Sequence, residues 1–367
     1  MHFIITGKKV MSMNKLEILQ SRVSGIADCG IITDDVNRRY FTGMKSSAGT
    51  LLVFPDSSVF IIDFRYIEKA KKTVKNCEVV LEQGGLYKQI KDIFAARNVE
   101  TAAIDSQSCT VAQLNMYSKG LGCEIRCDDK FAKAVREIRI VKTPDEIEKM
   151  ICAQRIAEKG FEHMLDFIKA GRTEKEVQLE LDYYMLSHGA EALSFDTIAL
   201  SGKNTSLPHG VPSDKKIENG EFVLMDYGAV VDGYHSDMTR TVCVGKPDEE
   251  MEKVYNIVLK AQQEAISKLR AGMTGFEFDK IARDIIAGAG YGENFGHSLG
   301  HGVGMEIHED PVGSPRRKDI IPENSVITIE PGIYIEDRFG IRIEDFAVVK
   351  ADGCENMTLA PKNLICL

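Results

Sequence analysis

The chain has 367 residues, 44% hydrophobic and 28% charged, with a formal net charge of -9. That length suggests two domains of roughly 100–200 residues each, and the balance is that of an ordinary globular protein. The acidic surplus without a long basic run argues against nucleic acid as a partner, and no apolar run reaches the ~18 residues that a membrane helix needs.

The opening MHFIITGKKVMSMNKLEILQ has an apolar patch too short for a secretory signal, so Met13 reads as the natural start and residues 1–12 as an extension. Removing residues 1–12 should leave activity intact. Nine cysteines are scattered, and Cys123 and Cys127 have no second pair to complete a zinc site. Unpaired thiols suit a reducing cytoplasm. Residues 13–135 alternate strand-like and helical runs and are expected to form a small α/β domain. Within it TLLVFPDSSVFIID reads as a hairpin and LYKQIKDIFAARN as a helix. REIRIVKTPDE reads as the linker to a second domain, residues 136–367.

The second domain repeats itself. TPDEIEKM opens a helical pattern that runs to FIKAGRTEKEV, and KPDEEMEKV opens another that runs to LRAGMTGFEF. Pro144 matches Pro247, and Ala170-Gly171 matches Ala271-Gly272, the boundary signals of helix starts and ends. An extended segment follows each helical pair, ENGEFVLMDYG in one half and PENSVITIEPG in the other, which sets Asp226 against Glu330 and Gly228 against Gly332. The next strands set Asp237 against Glu344. The unit is helix-helix-strand-strand, with two carboxylates per copy.

Strand pairing places these acids. Asp232-Gly233 is a strong two-residue hairpin signal. A turn there puts Val231 opposite Tyr234 and Asp226 opposite Thr239, with Asp237 diagonal to Asp226 on the same face. A turn centred on Asp337 in EPGIYIEDRFGIRIED puts Glu330 opposite Glu344. Four converging carboxylates need compensation, and a cation is the simplest form of it. Histidine in FGHSLGHGVGMEIHE points to Mn²⁺, Fe²⁺, Co²⁺ or Zn²⁺ rather than Mg²⁺ or Ca²⁺. Four acids favour two metals sharing bridging carboxylates. His301 is flanked by glycines, which let backbone approach a ligand, whereas His297 reads as a packing residue behind the ligands. Arg342 falls on the face of Glu344 and reads as a substrate clamp. There is no HExxH or GxSxG motif, and GHSLGHGVG lacks the residues that complete a phosphate loop.

The ordered set Asp226, Asp237, His301, Glu330 and Glu344 resembles the ligand set of the pita-bread metallopeptidases. LPHG, GYHSDMTRT, GHGVGMEIHE, EPGIY and GIRIED are similar to segments of the Xaa-Pro peptidases, and NRRYFTG and DFRY resemble the creatinase-type amino-terminal domain. The resemblance covers nearly the whole chain. It implies an α/β (α+β) protein: a small α/β amino-terminal domain, then a duplicated catalytic domain with a curved, mainly antiparallel sheet.

By that resemblance Asp226 binds a first metal, Asp237 and Glu344 bridge both, and His301 with Glu330 completes the second. The metals would be Mn²⁺ or Co²⁺, with Zn²⁺ or Fe²⁺ as alternatives. A bridging hydroxide would attack the carbonyl before proline, with Glu330 as proton shuttle. His209 and His308 would steady the substrate and the tetrahedral intermediate, and Arg342 would contact the proline side. The implied activity is Xaa-Pro aminopeptidase, with a prolidase restricted to dipeptides as the alternative; methionine aminopeptidase and a non-catalytic peptide-binding protein are remoter readings. The implied partners are small peptides with proline second, and a second copy in a homodimer.

Overall fold

The computed structural model describes residues 14–367; the extension expected over residues 1–12 lies outside them. The chain divides into two compact units, Met1–Arg139 and Ile140–Leu367.

In the first unit β1 (Cys29–Ile32), β2 (Thr50–Val53), β3 (Ser58–Ile62), β4 (Glu78–Leu81), β5 (Thr101–Ile104) and β6 (Glu124–Arg126) form one mixed sheet in the order β4-β3-β2-β1-β5-β6. The expected hairpin is β2–β3, with Val53 opposite Ser58. Six helices accompany it: α1 (Lys15–Val23), α2 (Asp35–Thr42), α3 (Ile67–Thr73), α4 (Leu86–Ala96), α5 (Val111–Gly120) and α6 (Asp129–Ile140). Alternation along the strands splits the core in two. Leu16, Phe41 and Phe131 pack with Leu51, Val53 and Ile62, whereas Ile90, Phe94 and Tyr117 pack with Leu52, Ile61 and Ala102.

The segment expected to be a linker is mostly helical. Phe131, Val135 and Ile138 recur at helical spacing and are buried, which carries α6 to Ile140. Thr143 then caps the next helix in a capping box with Glu146, leaving only residues 141–143 between the two.

The second unit holds the duplication. Its first copy has α7 (Pro144–Phe167) and α8 (Glu174–Ser187), then β7 (Ala192–Leu193), β8 (Ile198–Ser201), β9 (Glu221–Tyr227), β10 (Ala229–Val231), β11 (Tyr234–His235) and β12 (Met238–Val244). Its second copy has α9 (Glu249–Lys268) and α10 (Gly275–Gly288), then β13 (Gly300–Gly302), β14 (Glu309–Gly313), β15 (Val326–Ile329), β16 (Gly332–Ile335), β17 (Phe339–Arg342), β18 (Asp345–Lys350) and β19 (Gly353–Asn356). The copies agree in detail. Gly171 and Gly272 both take left-handed backbone, φ 90° and 87°, and donate N–H to Ile217 and Ile321 carbonyls at 2.9 and 3.0 Å. Thr173 and Thr274 cap the following helices in capping boxes with Glu176 and Glu277. Each copy buries its own helical pair: Phe161, Leu181 and Met185 against Val223 and Val242, and Val258, Phe278 and Ile286 against Ile327 and Val349.

The strands of this unit pair antiparallel, in the orders β12-β9-β8, β14-β13-β15-β18-β19, β11-β10-β7 and β16-β17. Both hairpin registers match the sequence reading. Asp232 and Gly233 take φ 50° and 83°, which puts Val231 opposite Tyr234 and Asp226 opposite Thr239. This hairpin is not one ladder, however, because β10 and β11 leave to join β7. At the departure a Cβ on Gly228 would stand 1.9 Å from the Ser236 carbonyl, so only glycine fits. The second turn has Asp337 at φ 57°, with Gly332 opposite Arg342 and Ile329 opposite Asp345. Glu330 therefore falls opposite Glu344. The two copies join where Glu344 N–H donates to the Thr239 carbonyl at 3.1 Å.

Candidate metal centre

Each acid sits where a regular ladder ends. Asp226 is the penultimate residue of β9, Asp237 precedes β12, Glu330 follows β15, and Glu344 lies between β17 and β18. A strand end keeps the side chain on the face fixed by alternation and frees its backbone to bend toward a shared point. Asp237 is 3% exposed and Glu344 1%, and all four acids with His301 line one cavity of about 800 Å³. His209, His297, His308 and Arg342 line it too. The structure thus brings every expected site residue to one place.

The hydrogen bonds fix orientations. His301 Nδ1 faces the Gly302 carbonyl at 3.1 Å, so this nitrogen carries the proton and Nε2 presents its lone pair. Nε2 lies 3.4 Å from Glu330 Oε1 and 3.6 Å from Asp237 Oδ2. Thr328 donates to Glu330 Oε1 at 3.1 Å and Thr239 to Glu344 Oε2 at 2.6 Å. Arg342 donates Nη2–H to Asp226 Oδ2 at 2.5 Å, Nη1–H to the Tyr334 hydroxyl at 2.7 Å and Nε–H to Thr239 at 3.1 Å. Tyr334 in turn meets His297 Nε2 at 3.0 Å, and His297 Nδ1 meets the Ser298 carbonyl at 2.8 Å.

The electrostatics are those of crowded, buried acids that share one cation, Arg342. Burial, then the charges of Asp226 and Glu330, hold the Asp237 carboxyl well above its ordinary range. Burial, then Asp237 and Glu330, does the same to Glu344. Burial pushes Glu330 up to about 8 despite the opposing pull of Arg342. His301 is pushed down to about 4 by burial and by His308, and His297 to about 4 by burial and Arg342. Burial and His209 also lower His308.

These residues fit a divalent metal. One ligand atom each from Asp237, His301 and Glu344 lie within 4.8 Å of one another. A lone pair aimed at carboxylate oxygens is repulsive unless a cation or proton lies among them. Asp226 Oδ1 is buried and has no hydrogen-bond partner among the described residues, although Oδ2 is held by Arg342. Such an oxygen is costly unless it is coordinated.

Tyr334, Thr239 and Thr328 were not picked out by sequence. Period two could have found them, since Thr239 stands two after Asp237, Thr328 two before Glu330, and Tyr334 four after it.

Two family models match this chain. Residues 20–141 match the creatinase/prolidase N-terminal domain, and residues 148–351 match metallopeptidase family M24. The chain belongs to metallopeptidase family M24. This M24 peptidase is 38% identical to the Xaa-Pro dipeptidase of Pyrococcus furiosus over 91% of its own length and 94% of the relative's. The solved structure of a Xaa-Pro dipeptidase from Bacillus anthracis superposes on it with a TM-score of 0.93, at 38% identity, covering 96% of this chain and 99% of that one. An X-Pro aminopeptidase from Thermotoga maritima MSB8 gives a TM-score of 0.89 at 37% identity, covering 95% and 99%. The peptidase therefore has the pita-bread catalytic fold behind a creatinase-like amino-terminal domain, and it is a hydrolase of a metal-dependent family. No described helix is long and apolar enough to cross a membrane.

Proposed function

We propose that this peptidase hydrolyses the bond between an N-terminal residue and a following proline, and that Xaa-Pro dipeptides are its preferred substrates. The observation that carries the reading is the convergence of four acids and His301 in one cavity that also holds His209, His308 and Arg342. Sequence reasoning ranked the aminopeptidase above the prolidase. The names of the similar proteins support the reverse order, with dipeptidases from Pyrococcus furiosus, Pyrococcus horikoshii and Bacillus anthracis among them. The aminopeptidase remains the second reading because of the Thermotoga maritima neighbour.

In this reading Asp226, Asp237, His301, Glu330 and Glu344 hold two divalent ions, Mn²⁺ or Co²⁺. When bound, they supply a hydroxide at neutral pH and polarise the substrate carbonyl. The chain's own residues do the rest. A bond before proline has no N–H, and its ring fixes the chain direction, so the substrate must be held by shape and by its other polar groups. His209 and His308 donate hydrogen bonds to the carbonyl oxygen as it gains charge. Glu330 carries a proton to the departing proline nitrogen. Arg342, its fan fixed by Tyr334, Thr239 and Asp226, bounds the proline side. The nine cysteines are all free thiols, which supports a cytoplasmic setting, and the family resemblance supports a homodimer.

The test is hydrolysis of a Xaa-Pro dipeptide and a Xaa-Pro-Yaa tripeptide by chelator-stripped protein with and without Mn²⁺. Metal-dependent cleavage of the dipeptide at well above the tripeptide rate is expected. Faster tripeptide cleavage would restore the aminopeptidase, and failure on both with metal bound would overturn the substrate class.

A further inference from the structure

The loop that brings His209 to the cavity is anchored by a carboxylate outside the metal-ligating set. Glu174, the first residue of α8, is 1% exposed. Its Oε1 accepts from the Ser201 N–H at 2.7 Å, the Ser201 hydroxyl at 3.2 Å and the Asn204 amide at 3.0 Å. Its Oε2 accepts from the Asn204 amide at 3.2 Å, the Ser213 N–H at 3.0 Å and the Ser213 hydroxyl at 2.6 Å. Every one of these donors belongs to residues 201–213. One side chain therefore closes both ends of a loop whose middle, Pro208 to Pro212, lines the cavity.

The tip of the loop has few other fixings: Arg342 Nη1–H donates to the Pro208 carbonyl at 3.5 Å and the Gly210 N–H to the Leu207 carbonyl at 3.0 Å. Leu207 is 55% exposed and Val211 80%, so the two apolar side chains flanking Pro208-His209-Gly210 gain little by staying where they are. Further fixings at the stem include Thr205, which donates to the Gly202 carbonyl at 2.6 Å and accepts from the Gly340 N–H at 2.7 Å, and the Lys175 N–H, which donates to the Ser213 carbonyl at 3.0 Å. A buried carboxylate that accepts from several donors of one segment sets that segment's shape, because each donor would lose its partner if the segment moved.

We propose that Glu174 is a positioning residue for catalysis: by clamping Ser201, Asn204 and Ser213 it holds the His209 loop over the metal-ligating carboxylates. This rests on the reading of His209 given above. The clamp requires an acceptor at both oxygens. Glu174→Gln keeps the shape but turns one of them into an amide donor facing donors, so one end of the loop is released.

The experiment compares wild type, E174Q, H209A and the double variant, each loaded with Mn²⁺, and follows amide exchange of residues 202–213, bound metal, and kcat and KM for a Xaa-Pro dipeptide. In E174Q the metal content should be unchanged, exchange in the loop should quicken, and kcat/KM should fall about tenfold or more. Glu174 acts through His209, so E174Q/H209A should be no slower than H209A alone. If E174Q slows the enzyme by the same factor with and without His209, or if loop exchange is unchanged, the proposal is overturned. Should E174Q fail to fold, S213A removes a single donor and must show the same pattern at smaller size. If wild type cleaves no Xaa-Pro peptide, the substrate reading fails, while loop exchange in E174Q still decides whether the clamp exists.

Discussion

Asp237 stands in a position where a lone acid would not survive. Its carboxyl is buried, and so is that of Glu344, and both are held above their ordinary range by burial and by each other's neighbours. In the metal-free protein this has a definite sign. A folded chain whose acids titrate high binds more protons than the unfolded chain, so its stability falls as pH rises through that window. His301 and His297, pushed down to about 4, act oppositely, but only below about pH 6.5, where unfolded imidazoles still take up protons. Above that pH the imidazole contribution fades and the carboxylates dominate, with Glu330 pushed up to about 8. Metal-free protein should therefore lose thermal stability between about pH 6.5 and 8, D237N should flatten that slope, and Mn²⁺ should abolish it. Melting curves at fixed ionic strength check this. A metal-free melting temperature that holds steady across the window would mean that the acids are not crowded.

At the scale of elements, ligand positions depend on how closely strands approach. A Cβ on Gly300 would lie 2.0 Å from the Thr328 carbonyl, a backbone atom that cannot give way cheaply. Gly300→Ala should push β13 off β15 and carry His301 with it, costing about 1–3 kcal/mol and weakening Mn²⁺ at least about tenfold. Gly296→Ala, where nothing lies within 4 Å of the added atom, should change neither. Urea unfolding and metal titration of the two variants separate the cases.

These elements also show what could be read beforehand. The hairpin registers were legible because a turn pair and strict alternation are local, and they fixed Asp226 opposite Thr239 and Glu330 opposite Glu344. The helical character of the expected linker was not legible: its charges hid Ile138, which continues the buried spacing of Phe131 and Val135. Arg240 and Glu174 were illegible for a different reason. The Arg240 side chain donates to the carbonyls of Thr239, Glu344, Ala360 and Pro361 and to Asp345, and the Glu174 carboxylate accepts from three residues up to 39 positions away. No periodicity announces a partner at that distance.

For the whole catalytic unit the decisive fact is that the proposed ligands are divided between copies: Asp226 and Asp237 come from the first, His301, Glu330 and Glu344 from the second. A bound metal is thus a tie between halves. With Mn²⁺ at a hundred times its Kd the tie is worth about 2.7 kcal/mol, roughly a hundredfold in protection. Chelation should quicken amide exchange in β9, β12, β13 and β15 together and leave the sheet of the first unit unchanged. Loss of protection in one copy alone would place the metal within that copy.

The copies are not identical where it matters most. Leu299 accepts from Glu330 N–H and Ile198 pairs with Asp226, so the place that His301 holds in the second copy belongs in the first to Leu200. Counting the proposed ligands alone, two copies of the first half would have given acids with no imidazole, and two of the second an imidazole on each side. Because the halves are joined in one chain, each can differ from its twin. The single histidine among the proposed ligands uses that freedom: it makes the two sides of the box chemically unlike, which no symmetric pair of identical chains could do.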